Sequence, residues 1–393
     1  MKKIFMVCYG GGHVKIIKNI YLELIKEKEI EIVLLALTGA QKYLSELNIP
    51  YMTIEKYYNI FQDKEIKNIG EKILKELNIN FEDTESKLYY GYSFKELIEK
   101  YGIEKSIQGY KEFERRIFLP INFMNKVLKY EKPDLVITTN APRMEKAALI
   151  ASKELGIKSI SVEDLFGVEQ EINEKIEKFF QSNNYRDKYG NYVCVLSEEV
   201  KKFLENKTDS KVIVTGNPNF DDVYKYKEKK LFINENMRRL CYLSQKTALN
   251  KKIFIKLLEL LENKIIDILI VKIHPNEDKN IYKDILRKYE YLKNKLFFEN
   301  NLYEAILKSN LVITEFSTAG IEAAILGREI ISRKNKIIDF EKLGMKLNFN
   351  EISEIENLVE SYYKNKSQNK SKFKFCNNSG SKNIKKLVIN LLK

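Results

Sequence analysis

Only two histidines occur in the 393 residues, and each follows an apolar run that is typical of a buried strand. The first, His13, comes after the glycine-rich turn Gly10, Gly11 and Gly12 and before a helical pattern. Glycines let a backbone turn sharply and approach a ligand closely, and the start of the next helix can hold an anion. An imidazole in this position could act as a general base, and it could also be a structural residue of the turn.

The second histidine, His274, lies in the sequence Lys272-Ile273-His274-Pro275 at the end of another apolar run. Proline stops a strand and fixes the direction of the chain that follows. An imidazole and an ammonium group at such a point could donate hydrogen bonds to a phosphate oxygen, with Arg328 as a further cation. We therefore predict a phosphate site here, with an ordinary loop histidine as the alternative.

A third motif runs from an apolar segment into a small polar turn and a helix; it contains Ser317, Thr318, Ala319, Gly320 and Glu322. Hydroxyl groups and free backbone N–H groups at the beginning of a helix are suited to hold a phosphate. Glu322 lies about one helical turn after Thr318, so its carboxylate could bind the ribose hydroxyls of the same nucleotide. The alternative is a helix cap with nothing bound.

A fourth motif is the acidic pair Glu163 and Asp164, which follows the apolar run Lys158–Val162. Two neighbouring carboxylates raise each other's pKa, which suits one of them to act as a general base. Acidic pairs are also common on protein surfaces, so an ordinary surface position is the alternative.

These motifs need a scaffold, and the pattern of apolar segments predicts one. Short β-rich runs alternate with helical patterns along both halves of the chain, which indicates parallel sheets covered by helices. In such sheets ligands bind at the carboxyl ends of the strands, where all four motifs lie. The predicted strands are Lys3–Cys8, Glu31–Leu37, Asp134–Thr138, Lys158–Val162, Tyr192–Leu196, Lys211–Thr215, Leu240–Leu243, Ile268–Ile273, Leu296–Glu299, Leu311–Thr314 and Glu329–Ser332.

The predicted fold class is α/β, with two Rossmann-like, doubly wound domains whose parallel sheets face each other across a cleft. Residues 1–225 form the first domain, with a helical insertion over about 57–130 that either covers the sheet or binds an acceptor. Residues 226–380 form a nucleotide-binding domain, and residues 381–393 form a terminal amphipathic helix.

Composition excludes several functions. No apolar run is long enough to cross a membrane, and the glycine-rich turn lacks the GxGxxG spacing of a nicotinamide site. Four scattered cysteines without a CxxC pair indicate buried, reduced thiols in a cytoplasmic protein. Because the chain has only two histidines and no Asp-x-Asp motif, we expect no metal ion and no other cofactor. The net charge of +13, with nine lysines and no acid from Lys364 to Lys393, suits an acidic glycan or an anionic membrane surface.

The His274-Pro275 and Ser317-Thr318 pairs resemble the signature of bacterial sialyl- and polysialyltransferases, which take a sugar acid from a CMP carrier. The resemblance implies that His274, Ser317 and Thr318 hold the donor phosphate, and that Glu163 or Asp164 deprotonates the acceptor hydroxyl. In those enzymes a glycine follows the acidic pair, whereas here Leu165 and Phe166 separate the pair from Gly167.

A wider resemblance covers most of the chain. The glycine-rich turn, Thr215–Asp221 and the stretch from Ser317 to Ala324 look like the GT-B superfamily of UDP-N-acetylglucosamine 2-epimerases and UDP-sugar transferases. In that superfamily a glutamate like Glu322 grips the ribose of UDP. The epimerases usually carry His-Arg where this chain has His274-Pro275, which favours a transferase.

The leading hypothesis is a metal-independent glycosyltransferase that moves a sugar from a CMP- or UDP-sugar to a cell-surface glycan or lipid-linked acceptor. Its location would be the cytoplasm, or the inner face of an anionic membrane, and its product a capsule or similar bacterial polysaccharide. The first alternative is a UDP-N-acetylglucosamine 2-epimerase that uses Glu163, Asp164 and Glu315 around the sugar. The second is a non-catalytic basic protein that binds nucleic acid, a partner that the leading hypothesis does not expect.

Overall fold

The computed structural model describes residues 1–139, 143–164, 171–185, 189–227, 236–335, 338–365 and 378–393. Two compact units make up the chain: Met1–Asn219 with Cys376–Lys393, and Phe220–Phe375. The border between the units falls six residues before the border expected from the sequence, and the terminal helix belongs to the first unit.

The first unit contains a six-stranded parallel sheet in the order β2-β1-β3-β4-β5-β6. Each strand is a short, largely apolar run, as expected for strands that helices cover on both faces. The strand β2 lies on one side of β1, and β3 lies on the other. The strand order therefore reverses at β1, which makes this the switch point of the sheet. The strands are β1 (Lys2–Cys8), β2 (Ile30–Ala36), β3 (Leu135–Thr139), β4 (Lys158–Val162), β5 (Tyr192–Val195) and β6 (Lys211–Val214).

Helices of the first unit cover both faces of this sheet. Because side chains alternate along a strand, β1 contributes Phe5 and Val7 to one core and Ile4 and Met6 to the other. The helices are α1 (Gly12–Leu24), α2 (Gly39–Glu46), α3 (Ile54–Phe61), α4 (Lys64–Glu76), α5 (Thr84–Tyr101), α6 (Ile103–Phe113), α7 (Ile121–Glu131), α8 (Met144–Glu154), α9 (Glu171–Phe180) and α10 (Glu198–Glu205).

The insertion between β2 and β3 consists of helices α3 to α7 and is rich in aromatic residues. The insertion contributes Tyr57, Phe94 and Phe123 to the core that also contains Phe5 and Val7. These helices therefore cover one face of the sheet. An acceptor-binding role for the insertion stays a prediction.

The chain's last helix, α17 (Gly380–Leu392), packs in the core on the opposite face. Ile384 and Val388 are fully buried beside Ile4 and Met6, because the helix has one apolar side. An ion pair of 2.5 Å between Lys385 and Glu27 attaches the helix at its polar side.

The second unit contains another six-stranded parallel sheet, in the order β12-β11-β10-β7-β8-β9. The strand order of this sheet reverses at β7, which lies between β8 and β10. The strands are β7 (Arg239–Leu243), β8 (Ile268–Lys272), β9 (Leu296–Phe298), β10 (Leu311–Thr314), β11 (Glu329–Arg333) and β12 (Leu347–Phe349). The helices are α11 (Asp221–Lys227), α12 (Asn250–Glu262), α13 (Asn280–Lys288), α14 (Leu302–Leu307), α15 (Ala319–Ile325) and α16 (Glu354–Lys364).

The two doubly wound sheets confirm the predicted α/β class. All eleven predicted strands are present with ends that agree to within about one residue, as expected of short apolar runs. The twelfth strand, β12, was missed because its three residues are interrupted by the polar Asn348, whereas the equally short edge strand β9 is continuously apolar. None of the helices in the described ranges is both long and apolar enough to span a bilayer. Cys8, Cys194 and Cys241 are buried free thiols, and Cys376 lies outside the described residues.

Candidate functional site

The glycine-rich turn after β1 brings its chain close to the neighbouring turn. A Cβ atom on Gly10 would lie 3.2 Å from the backbone of Gly39, so a side chain there would press on the start of α2. Gly11 caps α1 with a φ of 72°, a conformation that glycine adopts without strain. The turn therefore directs His13, in the first turn of α1, to the carboxyl edge of the sheet.

Three polar side chains meet the Nδ1 atom of His13 at this edge. The Oγ1 atom of Thr139 lies 2.7 Å away, the Oδ2 atom of Asp164 3.3 Å away, and the Oε2 atom of Glu145 3.7 Å away. Thr139 ends β3, Asp164 follows β4, and Glu145 lies in the first turn of α8. Since β1, β3 and β4 are neighbours in the sheet, their carboxyl ends bring these residues together.

The hydrogen bonds of Glu145 determine the direction of the others. Its fully buried carboxylate accepts a bond of 3.2 Å from the N–H of Tyr9 and one of 2.6 Å from the hydroxyl of Thr139. Because that hydroxyl donates to Glu145, its oxygen must accept from the N–H at Nδ1 of His13. A neutral His13 then carries its free lone pair on Nε2, and its ring remains partly exposed.

Burial raises the pKa of both carboxyl groups beside His13. For Glu145 the loss of solvation is the main cause; the imidazole and the Thr139 hydroxyl counteract it, and Asp164 adds to it. For Asp164 burial again raises the pKa, and His13 opposes the rise. The cluster thus holds three groups that can exchange protons within a few ångströms of one another, as acid–base chemistry requires.

The two members of the predicted acidic pair have different positions. Asp164 faces His13, whereas Glu163 is buried and its backbone is fixed by Cys194 and Asn217. Gly167, the glycine of the sialyltransferase-like element, lies outside the described residues.

In the second unit, the turn after β8 holds His274 through its backbone. The N–H of His274 donates to Oε2 of Glu277 at 2.9 Å, and its carbonyl accepts from the N–H of Glu277 at 3.0 Å. The Nδ1 atom of His274 accepts a bond of 3.2 Å from the N–H of Asn276. A neutral His274 therefore carries its hydrogen on Nε2 and can donate it to a ligand.

A buried polar network supports this turn. The carboxylate of Glu277 accepts hydrogen bonds from Ser244, Asn250 and, at 3.1 Å, Tyr282. Ser244 directly follows β7 and also accepts from the N–H of His274 at 3.2 Å. The network holds the His274 backbone in place, since each bond would leave a buried polar group unpaired if it were broken.

A pocket of about 420 Å³ opens beside this turn, at the carboxyl ends of β8 and β9. Its cationic lining comes from Lys272 and His274 at the end of β8 and from Lys279 and Lys283 before and in α13. Burial lowers the pKa of Lys272, and the nearby Lys279 lowers it further. Apolar walls come from Pro275, Leu286 and Phe298. Cations beside apolar surface suit an organic anion.

The turn between β10 and α15 lies on the other side of β7. The Oγ atom of Ser317 accepts from the N–H of Ala319 at 3.2 Å, while Thr318 is exposed. Gly320 is buried, and a Cβ atom there would lie 2.9 Å from the ring of Phe340. The glycine therefore permits α15 to pack closely against its neighbour.

Two charged residues near this turn are engaged with protein atoms. The Oε1 atom of Glu322 accepts from the hydroxyl of Tyr303 at 2.9 Å. Arg328 donates to the carbonyl oxygens of Ile306 and Leu307 at the end of α14. Arg328, expected as a further phosphate-binding cation, thus caps a helix. Glu315 is buried and bound by Thr247 and Arg333.

The structure brings together residues from separate motifs, and it adds others that the sequence analysis missed. His13 and Asp164 meet in one cluster, whereas the turns of His274 and Ser317 lie at one sheet edge with β7 between them. The missed residues Thr139, Glu145, Ser244 and Glu277 all lie within five residues of a strand or in the following helix. Their position at strand ends was the available indication. Among the described residues, no group of three or more histidines, cysteines or acids is arranged to hold a metal ion.

Comparison with known proteins shows similarity at the level of structure. No protein-family model matches the chain, and no curated protein sequence matches it. A UDP-GlcNAc 2-epimerase from Neisseria meningitidis, solved with UDP-GlcNAc, is 16% identical with a TM-score of 0.57, covering 99% of both chains. MurG from Acinetobacter baumannii is 13% identical with a TM-score of 0.56, covering 100% of this chain and 99% of the other.

A glycosyltransferase from Rickettsia africae is also similar, at 13% identity and a TM-score of 0.50, covering 100% of this chain and 93% of that one. All three are nucleotide-sugar enzymes of the GT-B fold. Matches that extend over almost the whole of both chains, together with the two doubly wound sheets, show that this chain has the GT-B fold.

Proposed function

We propose that the chain is a glycosyltransferase that moves a sugar from a nucleotide sugar to a hydroxyl group of a glycan or lipid-linked acceptor. The observation that carries the proposal is the cluster around His13, in which Thr139 and Asp164 hold one ring nitrogen and leave the other available. A hydroxyl group is a weak nucleophile, and a base of this kind is what its activation requires.

In the proposed reaction Nε2 of His13 takes the proton of the acceptor hydroxyl as its oxygen attacks the anomeric carbon of the donor sugar. The bond from that carbon to the phosphate oxygen breaks, and the nucleotide leaves with the bonding electrons. The resulting imidazolium ion is stabilised by the carboxylates of Asp164 and Glu145, 3.3 and 3.7 Å from Nδ1. Asp164 and Glu145 thus act on the acceptor through His13, and Glu163 has no direct part.

The second unit would hold the donor. The pocket beside His274 offers Lys272, Lys279 and Lys283 to a phosphate, and apolar walls to a sugar or base. Cations of this kind stabilise a departing phosphate without a metal ion. The Ser317–Gly320 turn, with Thr318 and Ala319, would bind a second part of the nucleotide, and Glu322 the ribose.

The comparisons support a nucleotide-sugar partner, since the similar structures include an epimerase solved with UDP-GlcNAc, MurG and a glycosyltransferase. The donor, CMP- or UDP-linked, and the acceptor are proposals from the motifs. A cytoplasmic enzyme that works at an anionic membrane surface would fit the net charge of +13.

A second candidate is epimerisation of a UDP-N-acetyl sugar on the same fold. The observation that favours it is that Glu145, Asp164 and His13 form one cluster, in which burial raises the pKa of both carboxyl groups. Groups of this kind can remove a proton from a sugar carbon and return it on the other face, with no acceptor needed.

Product analysis separates the two candidates. The protein is incubated with UDP-GlcNAc, with CMP-sialic acid and with other nucleotide sugars, each with and without a glycan acceptor mixture. Transfer predicts release of the nucleotide that depends on acceptor and persists in EDTA. Epimerisation predicts a new sugar isomer from UDP-GlcNAc alone. Inactivity of His13→Ala in both assays, with wild-type activity in the exposed variant Arg287→Gln, would assign the base; an active His13→Ala protein would reject it.

A further inference from the structure

Arg143 occupies an unusual place next to the His13 cluster. It precedes α8 and has a φ of 74°, a backbone conformation that strains any residue other than glycine. Its guanidinium carbon lies 4.1 Å from the centre of the Tyr9 ring, within the range of a cation–π contact. Tyr9 in turn donates its backbone N–H to Glu145, so Tyr9 connects Arg143 to the proposed catalytic cluster.

Hydrogen-bond donors exceed acceptors around this arginine. The hydroxyls of Tyr9 and Tyr89 lie 2.8 Å apart and share one hydrogen bond, and the N–H of Met144 donates to the Tyr9 hydroxyl at 3.1 Å. The two phenol oxygens are the acceptors of this group. One phenol hydrogen and most of the five guanidinium N–H groups therefore have no acceptor within it.

The positive charge of Arg143 also lacks a paired carboxylate. Within the part of the chain that the structure describes, no aspartate or glutamate forms an ion pair with Arg143. Glu145, the nearest acid in sequence, accepts hydrogen bonds from Tyr9 and Thr139 instead. A largely desolvated guanidinium normally has a carboxylate or phosphate partner, because its planar donors match their oxygens in pairs.

A second cation adds to the positive charge. Burial raises the pKa of the Tyr89 phenol, and the positive charges of Arg143 and of the exposed Arg115, in the 3-10 turn Glu114–Ile117, oppose that rise. Tyr9 and Tyr89 are almost completely buried, whereas Arg143 is partly exposed, so a ligand reaches the guanidinium from the solvent side.

We propose that Arg143, with Tyr9 and Tyr89, binds an anionic group, a carboxylate or a phosphate, of the acceptor substrate. This inference rests on the proposed function, because it assigns the anion to the substrate that His13 deprotonates. It makes Arg143 a specificity-determining residue: an acceptor with the anion binds, and an uncharged one of the same size binds poorly.

The experiment uses inorganic phosphate as the probe and the full chain carrying His274→Ala, which removes the imidazole from the proposed donor pocket. Thermal unfolding is followed against phosphate concentration, with sodium chloride at equal ionic strength as the reference. Arg143→Gly is the main variant, because glycine adopts the positive φ without strain and should fold. Arg287→Gln, whose side chain is 82% exposed, is the matched control for the loss of one positive charge.

We expect phosphate to bind about tenfold or more weakly in the Arg143→Gly protein, as for loss of a hydrogen bond between charged groups, and unchanged in Arg287→Gln. Tyr89→Phe should weaken phosphate binding less, because the guanidinium remains. Equal phosphate stabilisation with and without Arg143 would overturn the inference.

A nucleotide series in the chain with His274 intact separates this result from the proposed function. If Arg143→Gly loses phosphate binding and keeps nucleotide binding, the anion belongs to the acceptor, as proposed. If the variant also loses nucleotide binding, the acceptor assignment is wrong and Arg143 serves the donor. If no nucleotide binds even to the wild type, the proposed function fails while the phosphate titration still decides the role of Arg143.

Discussion

Replacement of Glu145 by glutamine should reverse the tautomer of His13. The N–H of Tyr9 can only donate, so the amide oxygen of the glutamine must take the position that faces it. The amide nitrogen then faces Thr139 and donates to its hydroxyl oxygen. Thr139 must now donate its own hydrogen, and the acceptor 2.7 Å away is Nδ1 of His13. The hydrogen of a neutral His13 is thereby moved to Nε2.

The size of the effect follows from the hydrogen bonds involved. The tautomer with hydrogen on Nδ1 loses its bond to Thr139, and the other tautomer gains one, each worth about 0.5–1.5 kcal/mol. Asp164, 3.3 Å from Nδ1, still favours the original tautomer and limits the change. A swing of about 1–3 kcal/mol corresponds to roughly a 5- to 150-fold loss of the base form. Adding Asp164→Asn should extend the loss in kcat toward the 10²–10⁴-fold of a missing general base.

Nitrogen-15 NMR of the imidazole rings measures this directly and needs no substrate. The chain has two histidines, so His274→Ala assigns both sets of signals. At pH 8 we expect His13 with hydrogen on Nδ1 and His274 with hydrogen on Nε2, because Asn276 donates to Nδ1 of His274. A wild-type His13 protonated on Nε2, or one that Glu145→Gln leaves unchanged, would refute the reasoning.

Three further predictions concern stability. Burial raises the pKa of Glu145 from its ordinary 4.5, so above pH 4.5 the folded state binds more protons than the unfolded state. The free energy of unfolding therefore falls as pH rises. Glu145→Gln should remove this slope in denaturant titrations between pH 5 and 8, and an unchanged slope would contradict the prediction. Glu277→Gln places amide hydrogens against the buried donors of its network and should cost about 1–3 kcal/mol in urea unfolding, whereas the exposed control Glu290→Gln should cost almost nothing. Gly320→Ala should cost about 1–3 kcal/mol by pressing on Phe340, and recovery in the Gly320→Ala/Phe340→Leu double variant would confirm that cause.

The fold was largely predictable because its physics is local. A strand buried on both faces needs a short continuous apolar run, so Lys158–Val162 and Leu311–Thr314 have the same limits in the sequence and in the structure. The edge strand Leu347–Phe349 has no such run, since the polar Asn348 stands in its middle.

The site was less predictable because its contacts join distant parts of the chain. His13 and Asp164 were candidates from their positions at strand ends, but Thr139 is 126 residues from His13 and nothing local indicates their hydrogen bond. Glu145 was missed since a glutamate in the first turn of a helix is ordinary there. Only the order of β1, β3 and β4 in the sheet turns these residues into one cluster.

The network around Glu277 gives the same lesson for the second unit. His274 and its proline form a motif in the sequence, whereas the groups that hold the turn are Ser244, Asn250 and Tyr282, each from another element. A buried glutamate two residues after a His-Pro pair has no recognisable pattern. Its role depends on three hydrogen bonds that exist only in the folded unit.

Isothermal titration calorimetry shows whether the second unit binds a nucleotide through the pocket at Lys272–Pro275. CMP, CDP, UDP and GDP are titrated into the wild-type chain and into His274→Ala. We expect one base to be preferred, and the affinity for that nucleotide to fall about tenfold or more in the variant, as for loss of a hydrogen bond to a charged group. If none of the four nucleotides binds, or if the preferred nucleotide binds the wild-type chain and His274→Ala equally, the second unit does not bind a nucleotide through this pocket.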